Sequence, residues 1–309
     1  MDICFYNMNH IGDVYFNYFF LNMICKQNPN IHFYYYFING DAFFENIKNI
    51  SRIFPIESEY SCNLINGEPP ENLLNNKILQ MLIKNNMQQT IYKKLIVDNK
   101  EYLFVNLWCN SYFLSHIDFD FISAIPKYIN LIDKLNNDFL FNLNFKIIDN
   151  KQLIETELSE NLKFGTLNLT EQILNESIII FNFKPRSLSF NMDVLNKFIY
   201  TLSKYNKIIL TSYDKMFGDN KNISFIDRDY KICNTPKCDN LLFIWEIAVK
   251  CKHIIILPTG SSFLFFHKLD KLNENQIHMF NNVQYCDSLN KNTNYFANKN
   301  IVNLITFNN

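Results

Sequence analysis

Glycine is scarce in this chain, with six in 309 residues. None of the six stands in a G-x-G-x-x-G array, so the common dinucleotide fingerprint is absent. Neither G-x-S-x-G nor H-E-x-x-H occurs, which removes the nucleophile elbow and the zincin helix. Charge is also thin, at 19% Asp, Glu, Lys and Arg against the usual quarter. The net charge of −1 shows no basic excess, so nucleic acid is not an expected partner. The eight cysteines form no disulfide framework, which points to a reducing, cytoplasmic setting. Cys4, Cys25, Cys109 and Cys251 sit in apolar runs and read as small buried hydrophobes. Cys233 and Cys238 have no second ligand pair, so a structural zinc site is not expected. Long hydrophobic runs are missing too. Residues 14–25 are interrupted by Asn17 and Asn22, and 254–266 contain Pro258 and Gly260. Neither reaches the roughly 20 residues of a membrane span. No basic leader opens the chain. Peripheral contact with a membrane stays open.

What is present is apolar and aromatic: 48% of residues are hydrophobic, including 30 Phe and 17 Tyr, ample for a packed core. Residues 3–7 read as a short strand and 8–12 as a loop. Residues 13–28 read as a helix whose Phe16, Phe19, Phe20, Met23 and Ile24 make one apolar face. Asn28-Pro29-Asn30 breaks it, and 31–38 form an aromatic strand. Strand, helix and strand make a βαβ unit, hence a parallel sheet. Residues 72–97 carry helical spacing, 102–108 a strand, and 125–139 a helix with Pro126 in its first turn.

The second half repeats this logic. Strands are expected at 177–182, 207–211, 223–226, 253–257 and 277–280, with helices at 192–205, 240–251 (capped by Asp239) and 263–269. The expected fold is therefore α/β, two Rossmann-like domains with an interdomain cleft. The first spans 1–165 and the second 166–309, with a final segment able to return to the first. Ligands in such sheets bind beyond the carboxyl ends of the strands, so the strand-exit loops are the places to seek chemistry.

Three of those loops carry suitable residues. Asn9-His10-Ile11-Gly12-Asp13 follows the first strand. Gly12 permits a tight turn, Asp13 is either a helix cap or a site carboxylate, and His10 is either a ligand or a solvated side chain. Lys184-Pro185-Arg186-Ser187 follows a buried strand and offers a point charge and a bidentate fork to phosphate. Thr259-Gly260-Ser261-Ser262 leads into a helix, where backbone N–H groups can meet an anion. Ser212-Tyr213-Asp214 ends another strand, which makes Tyr213 a candidate ligand contact. Glu246, on the helix before the 253–257 strand, is either an exposed carboxylate or a ribose acceptor. Asp118-Phe119-Asp120 and Asp227-Arg228-Asp229 are D-x-D triplets. The first fits a strand with one solvated face better than a metal site. His116, His253, His267 and His278 have no evident partners.

Taken together, His10-Ile11-Gly12-Asp13, Phe183-Lys184-Pro185-Arg186, and Trp245-Glu246 through Ile254-Ile255-Ile256 to Thr259-Gly260-Ser261 resemble the GT-B glycosyltransferases. Within them they resemble the ADP-heptose:lipopolysaccharide heptosyltransferase-like group. The resemblance implies an inverting, metal-independent glycosyl transfer with no cofactor. Its donor would be a nucleotide-diphosphate sugar, and its acceptor a glycan, a lipid-linked group or a protein. It implies Asp13 as general base, with His10 as a second catalytic residue and Asn9 and Gly12 as substrate contacts. Lys184 and Arg186 would lie on the leaving diphosphate, Thr259, Gly260, Ser261 and Ser262 at the phosphates, and Glu246 on the ribose. The chain departs from the group at Pro258, where an acidic residue is usual. Two alternatives stand beside this reading: a non-catalytic scaffold of the same fold that binds glycans or protein, and a GT-A transferase using a D-x-D with manganese.

Overall fold

The computed structural model describes residues 1–7, 11–37, 43–44, 47–53, 77–87, 90–107, 120–147, 149, 171–183, 191–229, 237–259 and 264–306. The chain divides into two compact units, Met1–Glu160 and Asn161–Asn309. Each is an α/β unit around a largely or wholly parallel sheet, a Rossmann-like arrangement.

In the first unit the strands are β1 (Asp2–Asn7), β2 (Phe33–Phe37), β3 (Ile50–Arg52), β4 (Tyr92–Val97) and β5 (Lys100–Asn106), in the order β3-β2-β1-β5-β4. All pairs are parallel except β4 with β5. The central β1 is buried from Ile3 to Asn7, as expected of a strand covered on both faces. The crossover helix α1 (Ile11–Gln27) starts two residues earlier than the apolar spacing predicts. Its interior is buried all round: every residue from Val14 to Cys25 is buried, Asn17 and Asn22 included. The single face read from the sequence is therefore a helix enclosed on all sides. Phe20 stacks flat on Tyr128 of α3 (Phe121–Phe139) at 3.8 Å, and Phe16 stacks on Phe121 at 4.3 Å.

Two expectations fail here for local reasons. Of the described residues between 72 and 97, Lys77–Lys84 form a helix but 92–97 do not. After α2 (Lys77–Lys84) the chain enters β4, which turns back on β5 through Asp98 and Asn99, both at positive φ. That two-residue hairpin turn was written in the sequence as Asp-Asn. Asp120 is not in a strand: its carboxylate accepts N–H bonds from Ile122 and Ser123 and caps α3, which places Pro126 in the second turn.

The second unit contains α4 (Glu171–Glu176), β6 (Ser177–Ile180), α5 (Met192–Ser203), β7 (Lys207–Leu210), β8 (Ile223–Phe225), α6 (Ile226–Asp229), α7 (Lys237–Ala248), β9 (His253–Ile256), β10 (Ile277–Phe280), α8 (Val283–Ala297) and β11 (Val302–Ile305). The sheet runs β11-β10-β9-β6-β7-β8, all parallel. Counted from β8 within the unit, that is third, second, first, fourth, fifth, sixth: the order of a full doubly wound dinucleotide fold. Its core joins Ile178, Ile180, Ile208, Leu210 and Ile255 to Leu195 and Ile199 of α5. The expected last strand, β10, is an inner strand, and polar α8 carries the chain on to β11. Asp239 lies inside the first turn of α7 and is not its cap. The helix expected at 263–269 is reduced to a 3-10 turn, Phe266–Lys268.

One residue is costly where it stands. Leu140 ends α3 in the left-handed region (φ 56, ψ 30) and is 91% exposed. A branched side chain there carries a penalty of about 1–2 kcal/mol that glycine escapes. Leu140→Gly, which forfeits no burial, is expected to stabilise the protein by about 1 kcal/mol in urea unfolding. An unchanged or lowered midpoint would contradict the strain.

Candidate functional site

In the first unit the strand order reverses between β1 and β5, and the crevice beyond their carboxyl ends is where such a sheet takes a ligand. Three buried asparagines build that end. Leu107, one residue beyond β5, donates its N–H to the Tyr6 carbonyl at 2.9 Å. Its own carbonyl accepts from Asn17 Nδ2 at 3.0 Å and Asn7 Nδ2 at 3.4 Å. Asn17 Oδ1 in turn accepts the Tyr128 hydroxyl. Asn106 donates from Nδ2 to the Met87 carbonyl at 2.9 Å, which also accepts the Tyr6 hydroxyl. Burial and the neighbouring Cys4 raise the Tyr6 hydroxyl far above the ordinary tyrosine range, so it stays a donor.

Asp13 stands in the first turn of α1, where the helix dipole favours a carboxylate. It is the third helical residue and not the cap. It is partly exposed, while Gly12 beside it is buried. Asp13 precedes Asn17 by four residues, so the two share a helix face. Because Asn17 bonds Leu107, that face is the one turned to the β1/β5 exit. Asn9 and His10 lie outside the described residues.

The second unit repeats the device. The order reverses between β6 and β9, and Asn182, just beyond β6, clamps the exit of β7. Its Nδ2 donates to the Ser212 carbonyl at 2.9 Å, and its Oδ1 accepts the Ser212 N–H at 2.9 Å and the Thr211 hydroxyl at 3.0 Å. Fully buried Trp245 of α7 packs on Phe181 at 4.6 Å and on Phe265 at 5.4 Å, fixing the β6 exit from below. Thr259, beyond β9, is partly exposed and donates its N–H to the Leu257 carbonyl at 2.7 Å. Lys184, Arg186, Gly260, Ser261 and Ser262 lie outside the described residues.

Tyr213 is 45% exposed at the exit of β7, with the Arg228 guanidinium over its ring at 5.1 Å and over Phe225 at 4.5 Å. The D-x-D around it is internally engaged. Asp227 Oδ2 accepts the Tyr213 N–H at 2.8 Å, while Asp229 holds Arg228 at 2.6 and 3.0 Å and accepts the Phe225 N–H at 2.7 Å. The Arg228 hydrogen bond and the Phe225 N–H hold the Asp229 carboxyl below its ordinary range despite burial. Among the described residues no three His, Cys, Asp or Glu side chains gather as metal ligands.

Glu246 follows Trp245, whose ring packs on Phe181 at the β6 exit. It lies in the last turn of α7. Its carboxylate pairs with Lys268, and both are largely shielded from solvent. His253 and His278 do have partners: each other, at 3.0 Å between His278 Nε2 and His253 Nδ1. Cys4, Cys25 and Cys251 are buried as expected, and burial pushes the Cys25 and Cys251 thiols up to about 12. The asparagines and Tyr128 were not legible as site-building residues, because isolated Asn is common throughout this chain.

Removing the Tyr128 hydroxyl leaves the buried Asn17 oxygen without that donor. Tyr128→Phe is expected to cost about 1–3 kcal/mol by urea unfolding, and a cost near zero would show that the contact carries little. The histidines set a pH dependence. Burial first, then neighbouring positive groups, depresses His253, His278 and His267, the last to about 3. A depressed folded pKa means the unfolded chain binds more protons as pH drops. The stability these groups contribute is therefore full above the unfolded value near 6.5. It is lost as pH falls toward the folded values. Urea midpoints should decline from pH 7 to pH 5, and the decline should shrink in His278→Gln. An identical decline in the variant would remove His278 from the account.

No family model matches this sequence, and no curated protein matches it. Among solved structures, the chain is similar to E. coli heptosyltransferase WaaC with ADP-2-deoxy-2-fluoro heptose: 11% identity, TM-score 0.43, 91% of this chain and 88% of that one. It is similar to the same enzyme with ADP at 9% identity and TM-score 0.41, over 100% and 94% of the two chains. It is also similar to the glycosyl transferase family 9 protein from Veillonella parvula DSM 2008, at 13% identity and TM-score 0.43, over 100% and 88%.

Proposed function

We propose that the chain is a GT-B-type glycosyltransferase that moves a sugar from a nucleotide-diphosphate donor to an acceptor hydroxyl. The observation that carries this reading is the position of Asp13. It is a partly exposed carboxylate in the first helical turn after the central strand, on the face turned to the strand-order reversal. A general base needs a reachable, polar place of that kind.

In the proposed step Asp13 takes the proton of the acceptor hydroxyl as its oxygen attacks the anomeric carbon. The bond from that carbon to the donor phosphate breaks, and its electron pair leaves with the nucleotide diphosphate. Attack opposite the leaving group inverts the anomeric centre. Lys184 and Arg186, in the loop after β6, meet the charge that grows on the diphosphate, so the step is assigned no metal. Gly260, Ser261 and Ser262 are assigned backbone N–H contacts to the phosphates after β9, and Thr259, whose N–H is bonded to Leu257, is assigned beside them. Asn9, His10 and Gly12 are assigned to the acceptor side and Tyr213 to the donor side. Glu246, its carboxylate paired with Lys268, is assigned to the donor ribose.

Asp13→Asn keeps shape and removes the base. Release of nucleoside diphosphate from the donor, with acceptor present, is expected to fall by about 10²–10⁴-fold in kcat, with donor affinity held within a few-fold. Activity should persist in EDTA. Near-normal turnover by the variant would sink Asp13 as the base, and strict manganese dependence would favour the D-x-D reading.

A further inference from the structure

The amino end of the second sheet, opposite the strand exits, carries a pair of side chains that the proposed chemistry does not use. The chain has six histidines, and two of them meet here on neighbouring strands. His253 is the first residue of β9, and His278 is the second of β10. The register sets Ile277 beside Ile254 and His278 beside Ile255, so the two imidazoles share one face and lie diagonally across the strand pair. On that face Ile255 and Phe280 join the core that α5 covers. Both histidines are half-buried, so solvent reaches them. Their rings are tilted by 60° with centres 5.0 Å apart, and His278 Nε2 stands 3.0 Å from His253 Nδ1. The next strand, β11, sets half-buried Asn303 beside His278. The Asn303 side-chain amide has no partner among the described residues. Lys252, the nearest cation in sequence, is exposed.

A hydrogen bond between the rings engages only one nitrogen of each. The same spacing suits a second occupant. First-row metal ions bond imidazole nitrogen at about 2.0–2.1 Å, and two such bonds at a right angle hold the nitrogens about 3.0 Å apart. That is the separation found here. A tetrahedral centre asks for about 3.4 Å, so the spacing favours a tetragonal ion over zinc. Imidazole also selects against magnesium and calcium, which seek oxygen. We propose that His278 Nε2 and His253 Nδ1 chelate a divalent cation of tetragonal preference, nickel(II) or copper(II). The amide oxygen of Asn303 is the candidate third ligand, and water fills the other positions. Each ring turns about its Cβ–Cγ bond to aim a lone pair at the ion. The proton of the present hydrogen bond moves to the other nitrogen of its own ring, so both rings stay neutral. The bound ion ties β9 to β10 and binds only the folded chain, so it stabilises the second unit. This site stands independently of the glycosyltransferase reading, which assigns no metal to the transfer.

Calorimetric titration of the full chain with nickel(II) chloride near neutral pH tests it, with magnesium chloride as the control. Saturable binding of nickel is expected, and no binding of magnesium. His278→Gln and His253→Gln should each lower nickel affinity about tenfold or more, since even the outer partners of a metal ligand are worth that much. Excess nickel should raise the melting temperature of the native chain by a few degrees and leave that of both variants unchanged. A variant that melts like the native chain without metal, yet gains nothing from nickel, separates lost chelation from lost folding. A measurement on the native chain needs no variant: the electron paramagnetic resonance spectrum with copper(II) should show a tetragonal centre coupled to nitrogen. Absence of nickel binding, or binding that both variants keep, would overturn the proposal. So would a copper spectrum with oxygen or sulfur ligands alone.

Discussion

A parallel sheet leaves a particular problem at its carboxyl end. The strands stop while their last carbonyl and amide groups still need partners, and the loops that follow must stay open to a ligand. In both units of this chain an asparagine side chain meets that requirement, buried in the first and part-buried in the second. Asn17 and Asn7 converge on the Leu107 carbonyl, and Asn182 makes a two-way pairing with Ser212. An amide side chain donates and accepts at once, so it replaces a missing backbone neighbour without extending the sheet. Buried polar groups of this kind are costly unless satisfied, which is why each is bonded.

The candidate site depends on this arrangement. Asn17 orients α1, and Asp13 lies one turn before it on the same face. The aromatic stack of Phe20 on Tyr128 holds α1 against α3, and the Tyr128 hydroxyl closes the chain of bonds back to Asn17. In the second unit Trp245 and Asn182 secure the exits of β6 and β7, whose loops carry the cations assigned to the diphosphate.

Much of the fold was legible because its strands are short apolar runs bounded by breakers: 3–7, 177–182 and 253–257 could be little else. The failures have local physical causes. The β4 strand was hidden behind apolar residues that also fit helical spacing, and its Asp98-Asn99 turn was passed over. Helix α8 is polar enough to read as loop. Asp120 looked like part of an alternating strand until its carboxylate proved to cap a helix. For the site, Asp13 and the cationic and Thr-Gly-Ser loops were visible as residue types at strand exits. The asparagine clamps were invisible, since their partners lie as much as 111 residues away in sequence, as with Asn17 and Tyr128.

The central claim is that this is a fold built to take a nucleotide-diphosphate sugar. Titration calorimetry of the full chain against a panel of nucleoside diphosphates and their sugars tests it most directly. The account predicts saturable binding of one nucleoside class, lost on replacing Lys184 and Arg186 with alanine and retained in Asp13→Asn. Binding of no nucleotide, or binding indifferent to those two cations, would contradict it.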